Sequence, residues 1–329
     1  MAGKPRIFFS TNPNPRNRAL IDGLIPIDGY DLEYVGDKYS AGEIHYRFMQ
    51  GEFDLAEMST ATLMRAKEKG KRFLALPVFF QRGPRQRNIF YCEGKLKHPR
   101  ELKGKQLGAF RYGATAVSWA RGYLLDAHGI KTTDVSWFVS GKEVYIANEL
   151  PVKVERLDPP PPFGQEKPHL AKLVGEGKLG AALVAGDSGY PGLFGGGILP
   201  EIMGKVPGVK PLFEDTEEIV RYVKRTQIYP IIHIMTIKEE TVEKYPDLAA
   251  KLIEAFREAN RLAKNYFTPK DAEGYARERD VLGYDPYACA LTPADKTSLQ
   301  ALNRYQIEQG LVTKELPLES LFVKEAFTM

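Results

Sequence analysis

Only two cysteines occur in 329 residues, Cys92 and Cys289, far apart and without a CxxC. Neither a disulfide framework nor a cysteine-ligated zinc site is expected, and both read as reduced core thiols. Histidine is scarce as well: there are five, none in an HxH or HExxH spacing, so no motif calls for a catalytic metal. No P-loop or GxGxxG motif opens a helix. In AGDSGYPGLFGGGILP the glycines, Gly195–Gly197 among them, fall in a loop, which argues against a nucleotide cofactor. No run of eighteen apolar residues occurs, and MAGKPRIFFSTN has no signal-length apolar stretch before Asn12. A membrane span is not expected, and a chain beginning at this methionine is expected in the cytoplasm. An excess of one charge is missing too. Forty-six basic and 42 acidic residues leave a net +4 without a long block of either sign, which gives no global reason to bind nucleic acid. At 43% hydrophobic and 27% charged, the chain suits an ordered globular protein long enough for two domains.

What the sequence does have is a βα rhythm. Strands are expected at Arg6 to Ser10, Asp31 to Val35, Phe53 to Met58, Phe73 to Phe80 and Asn88 to Cys92. Between them lie helices over Ala19 to Gly23, Ala41 to Gln50 and Thr60 to Lys69; the second carries Ile44, Phe48 and Met49 at helical spacing and is closed by Gly51. Near His98 and Pro99 a second series begins. It has a strand over Gln106 to Phe110, a turn over Arg111 to Ala114, a helix from Thr115 to His128 stopped by Gly129, and strands over Val135 to Val139 and Leu179 to Val184. A helix is expected around His169 to Glu176, and LDPPPPFG before it reads as a stiff proline-rich connection. Arg225 to Ile237 reads as one long strand that makes a domain crossing. Helices follow from Glu239 to Phe267, then one ending at Gly310 and a last amphipathic one over Leu316 to Phe327.

Two α/β lobes of similar size joined by two extended crossings define the expected fold class. It is an α/β, two-lobed, type II periplasmic-binding-protein-like fold, with two mixed sheets flanked by helices and a ligand cleft between lobes. The expected boundaries are 1–98 plus 227–329 for one lobe and 99–226 for the other.

Several residues stand out as candidates. FFQRGPRQRNIF puts Arg82, Arg85 and Arg87 within six positions after an apolar run. A solvated loop has the same look, but at a strand end beside a crossing such a cluster is an anion clamp, because guanidinium forks hold carboxylates bidentately and keep their charge. His233 is the one histidine inside a strongly apolar strand, so it is either the candidate acid or a satisfied core residue. His45, His98, His128 and His169 are expected at the surface. Glu57 ends its strand where a pure core would be apolar. It is either a buried carboxylate that takes a proton, raised by desolvation and lowered by arginine, or an exposed residue before a helix capped by Ser59 or Thr60. Arg111, Tyr112 and Thr115 sit at a turn that leaves helix N–H groups free for a carboxylate or hydroxyl, and Asp187 follows the strand 179–184 with a weaker claim. A divalent ion on His233, Glu57 and Asp187 has no supporting spacing, so no cofactor is assigned.

The segments PIDGYDLEYV, GEFDLAEMS, LPVFFQRGPRQRNIFY, LKGKQLGAFRYGATAVSWARGYL, LDPPPP, QIYPIIHIMTI and DPYACALTPADKTSLQALNRYQIEQGL resemble the 4,5-dihydroxyphthalate decarboxylase family over nearly the whole length. The resemblance implies a binding-protein fold turned to catalysis. The implied activity is non-oxidative decarboxylation of a hydroxylated aromatic dicarboxylate to a dihydroxybenzoate and CO2, without an organic cofactor. It also implies a small aromatic carboxylate as partner, neither nucleic acid nor membrane, and a homo-oligomer. Two departures are visible: the family places histidine after the arginine where this chain has Arg87-Asn88, and tryptophan where it has Tyr287. Such a reaction needs an acid, a partner for the phenol and a carboxylate anchor. His233 and Glu57 are the candidates for the first two. Arg82, Arg85, Arg87, Asn88, Ser59, Arg111, Tyr112, Thr115 and Asp187 are the candidates for binding. The alternative is a solute-binding protein for an aromatic or other small carboxylate that serves a transporter, for which the same arginines suffice.

Overall fold

The computed structural model describes residues 3–140, 150–156, 166–186, 202 and 204–328. The LDPPPPFG connection, Asp187 and Gly195–Gly197 lie outside the described residues. In chain order the strands are β1 (Arg6–Ser10), β2 (Asp31–Tyr34), β3 (Leu55–Ser59), β4 (Phe73–Arg82), β5 (Ile89–Cys92), β6 (Gln106–Ala109), β7 (Ser136–Val139), β8 (Val154–Arg156), β9 (Ala181–Leu183), β10 (Val209–Pro211) and β11 (Ile231–Lys238). The helices are α1 (Arg18–Ile21), α2 (Ala41–Met49), α3 (Thr60–Glu68), α4 (Thr115–His128), α5 (Glu166–Gly175), α6 (Thr216–Thr226), α7 (Glu239–Lys244), α8 (Leu248–Leu262), α9 (Pro269–Leu282), α10 (Pro293–Glu308) and α11 (Leu318–Leu321). No described helix is long and apolar enough to cross a membrane.

The chain divides into two compact units. One is Met1–Arg82 with Ile231–Lys296 and Leu316–Met329; the other is Gly83–Pro230 with Thr297–Glu315. The first holds a five-stranded sheet of order β2-β1-β3-β11-β4, in which β1 runs parallel to β2 and β3 while β11 runs antiparallel to β3 and β4. Every residue of β3 is buried, as a central strand covered on both faces requires. The flanking helices carry their own start and stop signals. Ser40 and Glu43 form a capping box at α2, and Thr268, Asp271 and Pro269 do the same for α9. Register then places the chemistry: Ser10 lies opposite Ala56, Met235 opposite Glu57 and His233 opposite Ser59. Because side chains alternate along a strand, Glu57, Ser59 and His233 share one face, with Thr11 just beyond β1 level with Glu57.

The second unit holds a six-stranded sheet of order β10-β5-β9-β6-β7-β8. Its core packs Leu107, Ala109, Val117, Ala120, Leu124, Trp137 and Val139 together with Tyr112. Gly122 in α4 lets the ring of Tyr305 approach so closely that a Cβ there would stand 2.3 Å from it.

The expected lobe boundaries, 1–98 plus 227–329 against 99–226, are corrected by sheet pairing. β5 bonds to β9 and β10 in the second sheet, so the chain changes units at Arg82-Gly83, where Gly83 N–H donates to Pro230 O at 3.0 Å. Residues 297–315 also join the second unit, held by Arg121 to the Gln309 side chain at 2.6 Å and by Tyr305 edge-on to Trp119. The long strand expected from Arg225 is shorter, because Arg225 and Thr226 finish α6 and Gln227 turns left-handed (φ 57°) before β11. The last amphipathic helix is replaced by α11 and a 3-10 turn at Lys324–Phe327. Between them Phe322 bridges Ala75 on the edge of β4, and Val323 N–H donates to Ala75 O at 3.0 Å.

Candidate functional site

In the first unit, the carboxyl ends of β1 and β3 and the start of β11 bring Glu57 and His233 together. Glu57 is 2% exposed. One carboxylate oxygen, Oε1, meets His233 Nδ1 at 2.6 Å. The other, Oε2, accepts from Thr11 Oγ1 at 2.7 Å and from the Asn12 backbone N–H at 2.9 Å. Burial alone would push this carboxyl up, yet the hydrogen bond and charge of His233, then Thr11 and Asn12, hold it down to about 2. Glu57 is therefore a fixed anion. The expectation had desolvation raise this carboxyl and arginine lower it; here His233, Thr11 and Asn12 do the lowering, and with three hydrogen bonds already accepted its oxygens are not the site that takes a proton. A carboxylate on Nδ1 selects the tautomer that carries hydrogen there and leaves Nε2 for other work. Nε2 has no hydrogen bond among the described residues, and the His233 side chain keeps 16% of its surface exposed.

His45 was expected at the surface. The structure half-buries it on α2 and sets its ring edge-on to His233, centroids 5.0 Å apart. His98 is exposed, and His128 and His169 are half-buried. Ser59 stands opposite His233, where it is the N-cap residue of α3 and accepts from Thr62 Oγ1 at 3.2 Å. Thr11, Asn12 and His45 are thus neighbours of the pair that sequence reasoning missed. A signal existed for the first two: the polar break TNPNPRN directly after a strand places hydrogen-bonding groups at a carboxyl edge. Nothing in α2 singles out His45.

Arg82 corrects the clamp expectation. Its Nη1 donates to Asp295 Oδ1 and to Pro286 O, each at 2.6 Å, and both charged side chains are buried. A guanidinium neutralised in this way serves the fold of the first unit.

The other candidates belong to the second unit. Arg85 is buried, with Nη1 3.4 Å from Pro84 O, and lines a small cavity with Trp119, Tyr123, Tyr222 and Tyr305. Arg87 is half-buried and donates to Thr216 Oγ1 at 2.5 Å; burial lowers its pKa, and Asp215 opposes that. Asn88 is fully buried, and neither polar atom of its amide finds a hydrogen bond among the described residues. Arg111 is half-buried, with its guanidinium 4.8 Å from the Phe110 ring centroid. Thr115, buried, opens α4 behind Ala114, an N-cap that offers no side-chain hydrogen bond. Tyr112 is corrected to a core residue. It is fully buried, its hydroxyl donates to Gln309 O at 3.0 Å, and its ring meets Trp137 edge-on. No group of three or more His, Cys, Asp or Glu side chains is gathered as a metal site among the described residues, and Asp187, the third ligand considered, lies outside them.

Two mixed sheets in two α/β units define a type II periplasmic-binding-protein-like architecture, and solved structures agree. The periplasmic aliphatic sulphonate binding protein SsuA from Escherichia coli is 14% identical with a TM-score of 0.56, covering 98% of this chain and 93% of that one. The desulfurization enzyme DSZB is 13% identical with a TM-score of 0.53, covering 98% of each chain. At such identities the likeness shows the fold alone. Sequence relatives add the lineage. A 4,5-dihydroxyphthalate decarboxylase from Comamonas testosteroni is 28% identical over 270 residues, 79% of this chain and 76% of that protein. Another of that name from Pseudomonas putida is 33% identical over 131 residues, 39% of this chain and 50% of that protein. No family model matches the chain. The chain is thus similar to proteins named 4,5-dihydroxyphthalate decarboxylase, in keeping with the resemblance of its sequence segments.

Proposed function

We propose that the protein is a non-oxidative decarboxylase of a hydroxylated aromatic dicarboxylate, 4,5-dihydroxyphthalate being the first substrate to try, with a dihydroxybenzoate and CO2 as products. The observation that carries the reading is the buried Glu57 carboxylate seated on His233 Nδ1, in a chain whose relatives bear that enzyme name. The proposed chemistry uses His233 as the acid. A hydroxyl para to the departing carboxylate raises electron density at the carbon that bears it, and Nε2–H of the imidazolium delivers its proton there. The bond to the carboxylate then breaks, its electron pair restores the aromatic ring, and CO2 leaves. Glu57 orients the imidazole and stabilises its charge while staying ionised. With the electrons drawn from the breaking carbon–carbon bond, no organic cofactor is needed for balance. Arg87, Arg111, Thr115 and Asn88 are the candidates for carboxylate and hydroxyl binding in this proposal, and Arg82 is dropped from it.

A solute receptor on the same fold has no use for an ordered acid with a buried counter-ion, which is why the enzyme reading is preferred. The test is His233→Asn. Calorimetric binding of the dicarboxylate kept with turnover lost supports the acid role; turnover at the parent rate rejects it. Tight binding by the parent protein without any CO2 release favours the receptor.

A further inference from the structure

We propose that Thr11 and Asn17 are positioning residues that set the Glu57–His233 pair, an inference that rests on the function proposed above for its kinetic part and on geometry alone for the rest. Both side chains are fully buried. Asn17 has a fixed orientation: Oδ1 accepts the Asn14 N–H at 2.8 Å, while Nδ2 donates to Asn12 O at 2.9 Å and to Thr11 Oγ1 at 3.1 Å. Turning the amide over would set its NH2 against an N–H and its oxygen against a carbonyl, so the assignment follows from the backbone partners. A threonine hydroxyl has one hydrogen to give. With Asn17 donating to the oxygen, that hydrogen goes to Glu57 Oε2 at 2.7 Å, the alternative acceptor, Asn12 O, being at 3.5 Å. Tyr34 fixes the same turn from another side by donating to Thr11 O at 3.0 Å.

The order of donation is therefore directional, from Asn17 to Thr11 to Glu57. Oε2 is filled by Thr11 and the Asn12 N–H, so the carboxylate cannot rotate to share its oxygens differently and presents Oε1 to His233. The break in TNPNPRN acquires a role that a simple connection would not have. Two short side chains and one backbone N–H hold a buried anion in the orientation that fixes the imidazole. Among the described residues, His45, edge-on to the ring of His233, and Tyr34, which feels the charge of Glu57, are further titratable groups near the pair.

The experiment compares the full chain with Thr11→Val, which keeps shape and removes the donor, and Thr11→Ser, which restores it. Two readouts are taken: kcat and KM with 4,5-dihydroxyphthalate, and the titration of the Glu57 carboxyl by 13C NMR. In Thr11→Val the Glu57 midpoint is expected to rise by about one pH unit and kcat to fall about tenfold, as one charge-assisted hydrogen bond is lost, with KM nearly unchanged. Thr11→Ser is expected to return both. If Thr11→Val does not fold, Asn17→Ala, which leaves Glu57 and its direct donors in place, is expected to move both readouts the same way by less. An unmoved Glu57 midpoint, or a serine variant that fails to restore it, overturns the proposal. So does a moved midpoint with unchanged kcat. A parent protein that releases no CO2 sinks the decarboxylase reading while the NMR titration still decides this one.

Discussion

Replacing Glu57 by glutamine keeps the shape of the site and removes its charge, and the consequence for stability has a sign and a size. The carboxyl titrates near 2 in the folded chain against an ordinary 4.5, because the hydrogen bonds and charge of His233, with Thr11 and Asn12, outweigh the cost of burial. A folded-state value below the unfolded one contributes stability that is complete above pH 4.5 and is lost as pH falls through 4.5 toward 2. The difference of roughly 2.5 units, at about 1.4 kcal/mol each, sets a ceiling of about 3–4 kcal/mol. About 2 kcal/mol of that is gone by pH 3. The assay is urea unfolding of both proteins at pH 6 and pH 3, followed by far-UV circular dichroism. Tryptophan fluorescence would watch the other unit, since Trp119 and Trp137 both lie in Gly83–Pro230. The advantage of the parent over Glu57→Gln should shrink by about 2 kcal/mol between the two pH values. A difference that stays constant would refute the depressed carboxyl and with it the fixed-anion role. Glu57→Gln should also lower kcat by about a hundredfold or more, because a neutral amide no longer stabilises the imidazolium.

Arg82→Met strands Asp295 in the core of the first unit and should cost about 3–5 kcal/mol in urea unfolding; a loss below about 1 kcal/mol would show that the ion pair is not load sharing. Gly122→Ala forces a methyl against the Tyr305 ring and should destabilise by about 1–3 kcal/mol, read as a lower Tm. Asn88→Leu removes two buried polar atoms that make no hydrogen bond among the described residues, so stability should hold or rise by about 1 kcal/mol. In the same variant KM for the dicarboxylate should rise, and an unchanged KM would remove Asn88 from the binding candidates.

The strand and helix series was legible because apolar runs and glycine stops report burial and chain reversal directly. β1, α4 and the run of β3 into α3 fall where periodicity places them. The unit boundary was not legible. Nothing local in the apolar stretch Ile89–Cys92 tells that β5 pairs with β9 and β10, since pairing partners far along the chain carry no local mark. The same holds for Arg82. Its position at a strand end is visible in sequence, but the carboxylate that neutralises it lies 213 positions away. His233 and Glu57 were visible as polar residues in apolar strands. Their direct contact follows from the register of β11 on β3, which three-dimensional pairing alone supplies. Thr11 and Asn17 carry no such mark in the sequence, because short polar side chains near prolines usually mark turns.

The most direct measurement is to incubate the protein with 4,5-dihydroxyphthalate in D2O and follow CO2 together with the NMR spectrum of the product. The account predicts one CO2 per dihydroxybenzoate, a single deuteron at the carbon that lost its carboxylate, and loss of both in His233→Asn. Absence of CO2 from the parent protein, or release at the parent rate in His233→Asn, would contradict it.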